Sequence, residues 1–469
     1  MSKSVSAENQ ITEGSIVGAL LAFFFPILLG TFFQQLYNTA DAVVVGNFVG
    51  TIALAAVGGS TSTLISLFVN LFVGIASGTT VIIAQCYGAR DFDGVRKAVH
   101  SSIAIGVVGG LISMVITFVG AVPALVAMDT PANVVPDSAL YLHIYAIGMV
   151  PSFLYNIGSG ILRAIGDTKR PLYFLIIACL TNIVLDLLFV VGFGWGVMGV
   201  ATATVISQIV SCVLTMLLLL RSTTVVSVHP QEIRFTPFAT RRVLRVGVPA
   251  ALQSNMYTIA NIIIQAVINS FGTNAVAAWT AYGKIDGLFW MIMGALGISV
   301  TTFVGQNFGA QKYDRVRGSV RVGLGMGLAI ALACSGVILA FGSTLLGWFT
   351  TSQEVLDIAL RTVHLTIPFY FTYICVEVLS GAIRGTGDSF LPMAISASGI
   401  CFLRILWIAF VHPLFPSYDM VVLIFPISWA ATSVLYTIYY LHGGWLRRRI
   451  SIMGYAPEVK KGRAVSAGD

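Results

Sequence analysis

Asp41 lies in the run Tyr37-Asn38-Thr39-Ala40-Asp41-Ala42-Val43-Val44-Val45, inside a stretch from Ile16 to Phe48 that carries no other charge. That stretch is long enough to cross a bilayer, which takes about 20 apolar residues. An ionisable side chain at membrane depth costs roughly 2.5–3.5 kcal/mol on insertion scales, so it is by default a functional-site candidate, the alternative being a structural hydrogen bond to polar helix neighbours. Three further acids, Asp186, Asp286 and Glu377, fall inside apolar stretches. Asn182 and Asp186 are four residues apart, so on a helix they share one face. Carboxylate, amide and hydroxyl oxygens of this kind suit a hard monovalent cation such as Na⁺, or a shared H⁺.

The chain that positions them is 57% hydrophobic and only 10% charged, against about 25% charged in soluble domains. It reads as an all-α polytopic membrane protein. Breaks at glycine, proline and charge clusters place twelve spans near 16–48, 52–84, 95–121, 136–163, 170–192, 196–221, 239–271, 275–305, 316–347, 355–384, 389–411 and 420–443. The net charge of +7 does not indicate a nucleic-acid partner, because the basic residues sit in short loops on one side. Arg90, Arg96 and Lys97, then Arg163 and Lys169, then Arg241, Arg242 and Arg245, then Lys312 and Arg315 mark that side. The opposite loops hold Asp129, Asp137, Glu354, Asp357 and Asp419, with Arg361 as the one basic residue. Basic loops stay in the cytoplasm, so both termini are expected there.

That orientation sets depth. Asp41 and Asp186 each lie a few residues before the outer end of an outward-running span, about 10 Å below the surface at 1.5 Å per residue. Thr204 is at the same level on the following span. Gln34, Tyr37 and Asn38 precede Asp41 on its span and are candidates for a substrate cleft or gate. The second half has no acid in the span matching that of Asp41, where Gln253 and Asn255 are among the polar residues. Its charges are Lys284, Asp286, Glu377 and Arg404. Lys284 with Glu377, or Asp286 with Arg404, would neutralise one another across helices, with a binding or gating role as the other reading. Phe23, Phe24, Phe25, Phe32, Phe33, Phe153 and Tyr155 are aromatics that a cleft for flat organic cations could use.

The halves repeat each other. Gln85-Cys86-Tyr87-Gly88-Ala89 recurs 221 positions later as Gln306-Asn307-Phe308-Gly309-Ala310. The stretch Ser159-Gly160-Ile161-Leu162-Arg163-Ala164-Ile165-Gly166-Asp167 recurs at the same shift as Ser380 to Asp388. This divides the chain into an N-lobe (1–221), a linker (222–238), a C-lobe (239–450) and a tail (451–469). Arg163, Asp167, Arg384 and Asp388 fall at helix ends, where they read as caps and hinges. Two parallel six-span lobes around a cleft suit alternating access. No Walker lysine loop, HExxH, GxSxG or metal-ligand cluster is present, so the chain does not read as an enzyme. No cofactor is expected, and an ion gradient is the expected source of energy.

Together, the Tyr37–Asp41 run with Gly46 and Gly50, Gln85–Ala89 with Val95-Arg96-Lys97, Asn182–Asp186, Gly199–Gln208 and Ser380–Asp388 resemble the multidrug and toxin extrusion (MATE) family. The bacterial DinF-like branch is the most similar. The resemblance covers roughly residues 11–450. It implies a V-shaped, two-lobed antiporter in a bacterial cytoplasmic membrane, functional as a monomer. Such a protein exports small organic cations in exchange for Na⁺ or H⁺. In the family pattern Asp41, Asn182, Asp186 and Thr204 form the ion site. The NorM-like branch carries a glutamate in span seven, and this chain has none between Val246 and Phe271. The alternative within the superfamily is a flippase for lipid-linked oligosaccharides or peptidoglycan precursors. Such proteins line the cleft with cationic residues, whereas the acids here favour a cationic substrate.

Overall fold

The computed structural model describes residues 11–453, all helix and connecting loop. Six rods make the first bundle: α1 (Ile16–Phe48), α2 (Thr51–Gly88), α3 (Phe92–Ala127), α4 (Val135–Ala164), α5 (Lys169–Gly192) and α6 (Gly196–Arg221). Six more make the second: α7 (Pro237–Asn269), α8 (Thr273–Gly309), α9 (Tyr313–Gly347), α10 (Gln353–Gly385), α11 (Phe390–Val411) and α12 (Tyr418–His442). All but α7 are long and apolar enough to cross a membrane. α7 is as long as α1, but Gln253, Ser254, Asn255, Asn261 and Gln265 interrupt its apolar run. A short helix, α13 (Trp445–Met453), follows the last rod. The remainder of the expected tail, from 454 onward, lies outside the described residues.

Two rods expected to be continuous are broken. α2 bends at Gly59, where a Cβ would sit 2.9 Å from the Ala55 carbonyl oxygen, so glycine is required. α10 tightens into a 3₁₀ turn over Ile367–Phe369, because Pro368 offers no N–H to the helix. α5 ends in a π-helical turn (Leu187–Gly192) directly after Asp186. α11 contains two such turns, Ala397–Phe402 and Trp407–Val411, on either side of Arg404. Turns of this kind re-aim side chains and collect at functional sites.

The repeat is built into the backbone. Gly50 (φ 119°) and Gly272 (φ 93°) lead into α2 and α8, and Gly166 (φ 99°) and Gly387 (φ 87°) turn the chain after α4 and α10. Side chains other than glycine rarely adopt these angles. The caps read from the repeat are present: Asp167 Oδ1 accepts from the Arg170 N–H at 3.2 Å, and Asp388 Oδ1 from that of Leu391 at 3.4 Å.

Several helix pairs join the two bundles, and two of them pack in different ways. α2 meets α7 through Gly74 and Gly78, where a Cβ would overlap the backbone at Ala251 and Gly247. Small residues four apart let helix backbones approach closely. α1 meets α8 through bulk instead, with the Phe23 and Phe303 rings 5.6 Å apart. At the end carrying the basic loops, two segments cross between lobes. Residues 11–14, which precede α1, are held by Arg315 of α9, which donates to the carbonyls of Ile11 and Gly14 at 3.1 and 2.8 Å. Residues 229–236, which precede α7, dock on α3. There Arg96 pairs with Glu232, and the His229 N–H donates to His100 Nε2 at 2.9 Å.

Candidate ion and substrate site

The polar residues of α1, α4, α5 and α6 converge on one level of the N-lobe. A cavity of about 370 Å³ opens there, lined by Gln34, Tyr37, Asn38 and Asp41 of α1 and by Thr204 of α6. Asp41 is 5% exposed, and Asn182 and Asp186 are fully buried. Thr204 Oγ1 donates to Asp41 Oδ2 at 3.3 Å. The Asp186 and Asn182 side chains lie against the Asp41 carboxyl from α5. The structure thus brings together all four residues that the sequence singled out, and adds the three cleft candidates of α1.

The donor set is rich in oxygen and poor in partners. Asp41 Oδ1, both Asp186 carboxyl oxygens and both polar atoms of the Asn182 amide are buried without a hydrogen-bond partner among the described residues. Buried polar groups are nearly always paired, and those that are not call for a reason. Two touching carboxylates repel strongly in a medium of low dielectric. A proton or a cation held between them removes that repulsion.

Tyr141 and Tyr145 of α4 and Gln208 of α6 also face this cavity, with Tyr145 placed next to Gln208. Sequence reasoning missed them as site residues. The available signal was the four-residue spacing of the tyrosines, which on an apolar helix reads equally well as core. Of the aromatics expected to face a cleft, Phe23, Phe24 and Phe153 are buried in packing. Phe25 and Phe32 point outward from α1, while Tyr155 does line the cavity.

The C-lobe differs from expectation. Asp286 does not pair with Arg404; it accepts from the Tyr370 hydroxyl at 2.6 Å, Trp290 Nε1 at 2.7 Å and the Tyr282 hydroxyl at 3.0 Å. Three neutral donors offset part of the cost of burying the carboxyl group. Lys284 does not meet Glu377. Lys284 is exposed, whereas Glu377 is wedged beside Gly297 and takes a bond from the Tyr373 hydroxyl at 3.3 Å. Gln253 is buried and donates to Ser396 at 2.9 Å while accepting from Arg384 at 3.1 Å. Asn255 donates to the Leu67 carbonyl across the lobes at 3.2 Å. Gln253 and Asn255 thus make packing and junction contacts here.

The MatE family model matches residues 26–188 and 249–409, one block in each lobe and well over half the chain. The chain belongs to the MatE family. Among its relatives, the probable multidrug resistance protein YoeA of Bacillus subtilis is 30% identical over 83% of this chain and 85% of its own length. The probable multidrug resistance protein NorM of Thermotoga maritima is 25% identical over 82% and 83%. Solved MATE structures share the fold. An outward-facing multidrug resistance MATE transporter of the MOP superfamily superposes with a TM-score of 0.87 at 22% identity, covering 97% of this chain and all of that one. A MOP superfamily transporter from Pyrococcus furiosus gives 0.88 at 22% identity, with the same coverage. This MATE chain is thus a multi-pass membrane transporter, and its relatives include probable multidrug resistance proteins.

Proposed function

We propose that this protein exports small organic cations from the cytoplasm in exchange for Na⁺ or H⁺, with Asp41 and Asp186 as the exchanging pair. The observation that carries the reading is the buried, incompletely paired carboxyl of Asp41 on the wall of the N-lobe cavity, with that of Asp186 packed beside it, out of the cavity. A cation or proton stabilises that arrangement, and an organic cation entering the cavity competes for the same negative charge. Asn182 and Thr204 contribute neutral oxygens that shape the site for a small ion. Gln34, Tyr37 and Asn38 line the route to it. Lys284, exposed on α8, and Glu377 retain a weaker gating role in this reading.

Basic loops stay in the cytoplasm, so the end where Arg315 and Glu232 tie the lobes together is the cytoplasmic one in this reading. Export then requires those ties to part. Asp41 on the cavity wall, with Asp186 beside it, favours cationic cargo over the pyrophosphate of a lipid-linked precursor.

The test is uptake of a fluorescent organic cation into proteoliposomes under separately imposed Na⁺ and H⁺ gradients, with Asp41→Asn alongside. Transport driven by one gradient and lost in the variant supports exchange at this site and names the ion. Full transport by Asp41→Asn removes the assigned role. Transport of a lipid-linked pyrophosphate, with none of the cation, replaces the reading with a flippase.

A further inference from the structure

The C-lobe holds a second chamber of about 330 Å³, within the size range of pockets that take small organic ligands. Trp279, Trp290, Tyr373, Phe425 and Trp429 form its walls, and Asp286 and Arg404 both line it. These two charges are not equally available. Asp286 already accepts three hydrogen bonds, from Tyr370, Trp290 and Tyr282. Arg404, 5% exposed, directs Nε to Ser428 Oγ at 3.1 Å and Nη1 to Asn261 Oδ1 at 2.9 Å. Its guanidinium lies over the Phe425 ring at 4.3 Å. Nη2 has no hydrogen bond among the described residues. The chamber therefore presents a positively charged donor, fixed in place by three contacts, while its one acid is occupied. The N-lobe cavity has the reverse character, with surplus acceptors on Asp41 and Asp186.

We infer that the C-lobe chamber is a binding site for a planar aromatic carboxylate. The ring lies among the tryptophan and tyrosine walls, and the carboxylate takes its hydrogen bonds from Arg404 Nη2. Guanidinium–carboxylate bonds are charge-assisted and directional, and an Arg side chain already held by its neighbours loses little freedom on binding. Aromatic walls select flat ligands by stacking geometry. This site is independent of ion exchange at Asp41, and it gives one chain two cavities of opposite polarity.

Gly283 provides a steric test. It lines the chamber, and a Cβ added there meets no atom within 4 Å, so a larger side chain grows into the cavity without disturbing the helix. The experiment is calorimetric titration of the full chain in nanodiscs, without any gradient, using 2-naphthoate and the matched cation 2-naphthylmethylammonium. Naphthoate should bind saturably, and Arg404→Gln should weaken it at least tenfold. Gly283→Leu, which keeps both charges, should abolish binding, and Asp41→Asn should leave it unchanged. No naphthoate binding overturns the inference. So does equal binding by wild type and Gly283→Leu, loss of binding in Asp41→Asn, or a preference for the ammonium that Gly283→Leu removes. If Arg404→Gln fails to fold, Gly283→Leu decides alone. Because no transport is measured, either result leaves the Asp41 exchange to be judged by its own assay.

Discussion

Gln85 and Gln306 occupy equivalent positions in the two lobes, and each donates to the other lobe's fourth helix. Gln85 Nε2 reaches the Gly385 carbonyl at 2.9 Å, and Gln306 Nε2 reaches the Ala164 carbonyl at 2.6 Å. Both side chains are buried. Gly88 and Gly309 make the approach possible, because a Cβ on either would overlap the backbone oxygen of the opposite glutamine. This reciprocal clasp closes the basic end of the molecule.

Removing one half of the clasp should favour opening at that end. Gln306→Met keeps the volume but strands the Ala164 carbonyl, at about 1–3 kcal/mol for a buried group left without its partner. Spin-label distances between the basic ends of α4 and α10 should shift toward longer values, and further in the double variant with Gln85→Met. Distances identical to wild type in the double variant would show that the clasp does not govern closure.

At the ion site, Thr204→Val removes a single donor to Asp41 while keeping shape. The expected effect is about 1 kcal/mol, or roughly fivefold weaker apparent affinity for the coupling ion, with maximal transport rate little changed. Asp186→Asn should abolish coupling altogether. A Thr204→Val protein as inactive as Asp186→Asn would mean that the hydroxyl does more than accommodate the ion.

Asp286 depends on its donors. Tyr370→Phe deletes the shortest of the three, and a bond to a charged group contributes about 1.5–3 kcal/mol. The variant should melt at lower temperature in detergent, and Asp286→Asn should relieve part of that loss in a double-variant cycle. Additive effects in the cycle would separate the two groups energetically.

Outside the membrane, Arg96 holds the Glu232 carboxyl below the usual glutamate range through a hydrogen-bonded ion pair. A group with a lowered value in the folded state supports docking above its unfolded value, near 4.3. That support is lost as pH falls through the folded value. Glu232→Gln should therefore speed amide exchange across residues 229–236 at neutral pH. The difference from wild type should vanish once pH has fallen through that lowered folded value, and should shrink in high salt. No difference from wild type at neutral pH would assign the docking instead to His100, which accepts from the His229 N–H, and to Ser101, whose hydroxyl accepts from the Thr236 N–H at 3.1 Å.

Much of this was legible in the sequence. Asp41 stood out because a charge in an apolar stretch is rare enough to need a reason. The spacing of Asn182 and Asp186 follows from the helical repeat, and the recurrence of Gln85–Ala89 at Gln306–Ala310 revealed two lobes. Each of these signals is local or periodic, and that is the kind a one-dimensional pattern carries.

What the tertiary structure alone decided is who neighbours whom. Lys284, Asp286, Glu377 and Arg404 could be counted in the sequence, and opposite charges suggested pairs. The fold instead surrounds Asp286 with phenol and indole donors, leaves Lys284 exposed, and turns Arg404 toward Asn261, Ser428 and Phe425. Buried charge requires compensation, and neutral donors can supply part of it in place of a counter-ion. Which of these is present depends on residues far apart in the chain that only packing brings into contact.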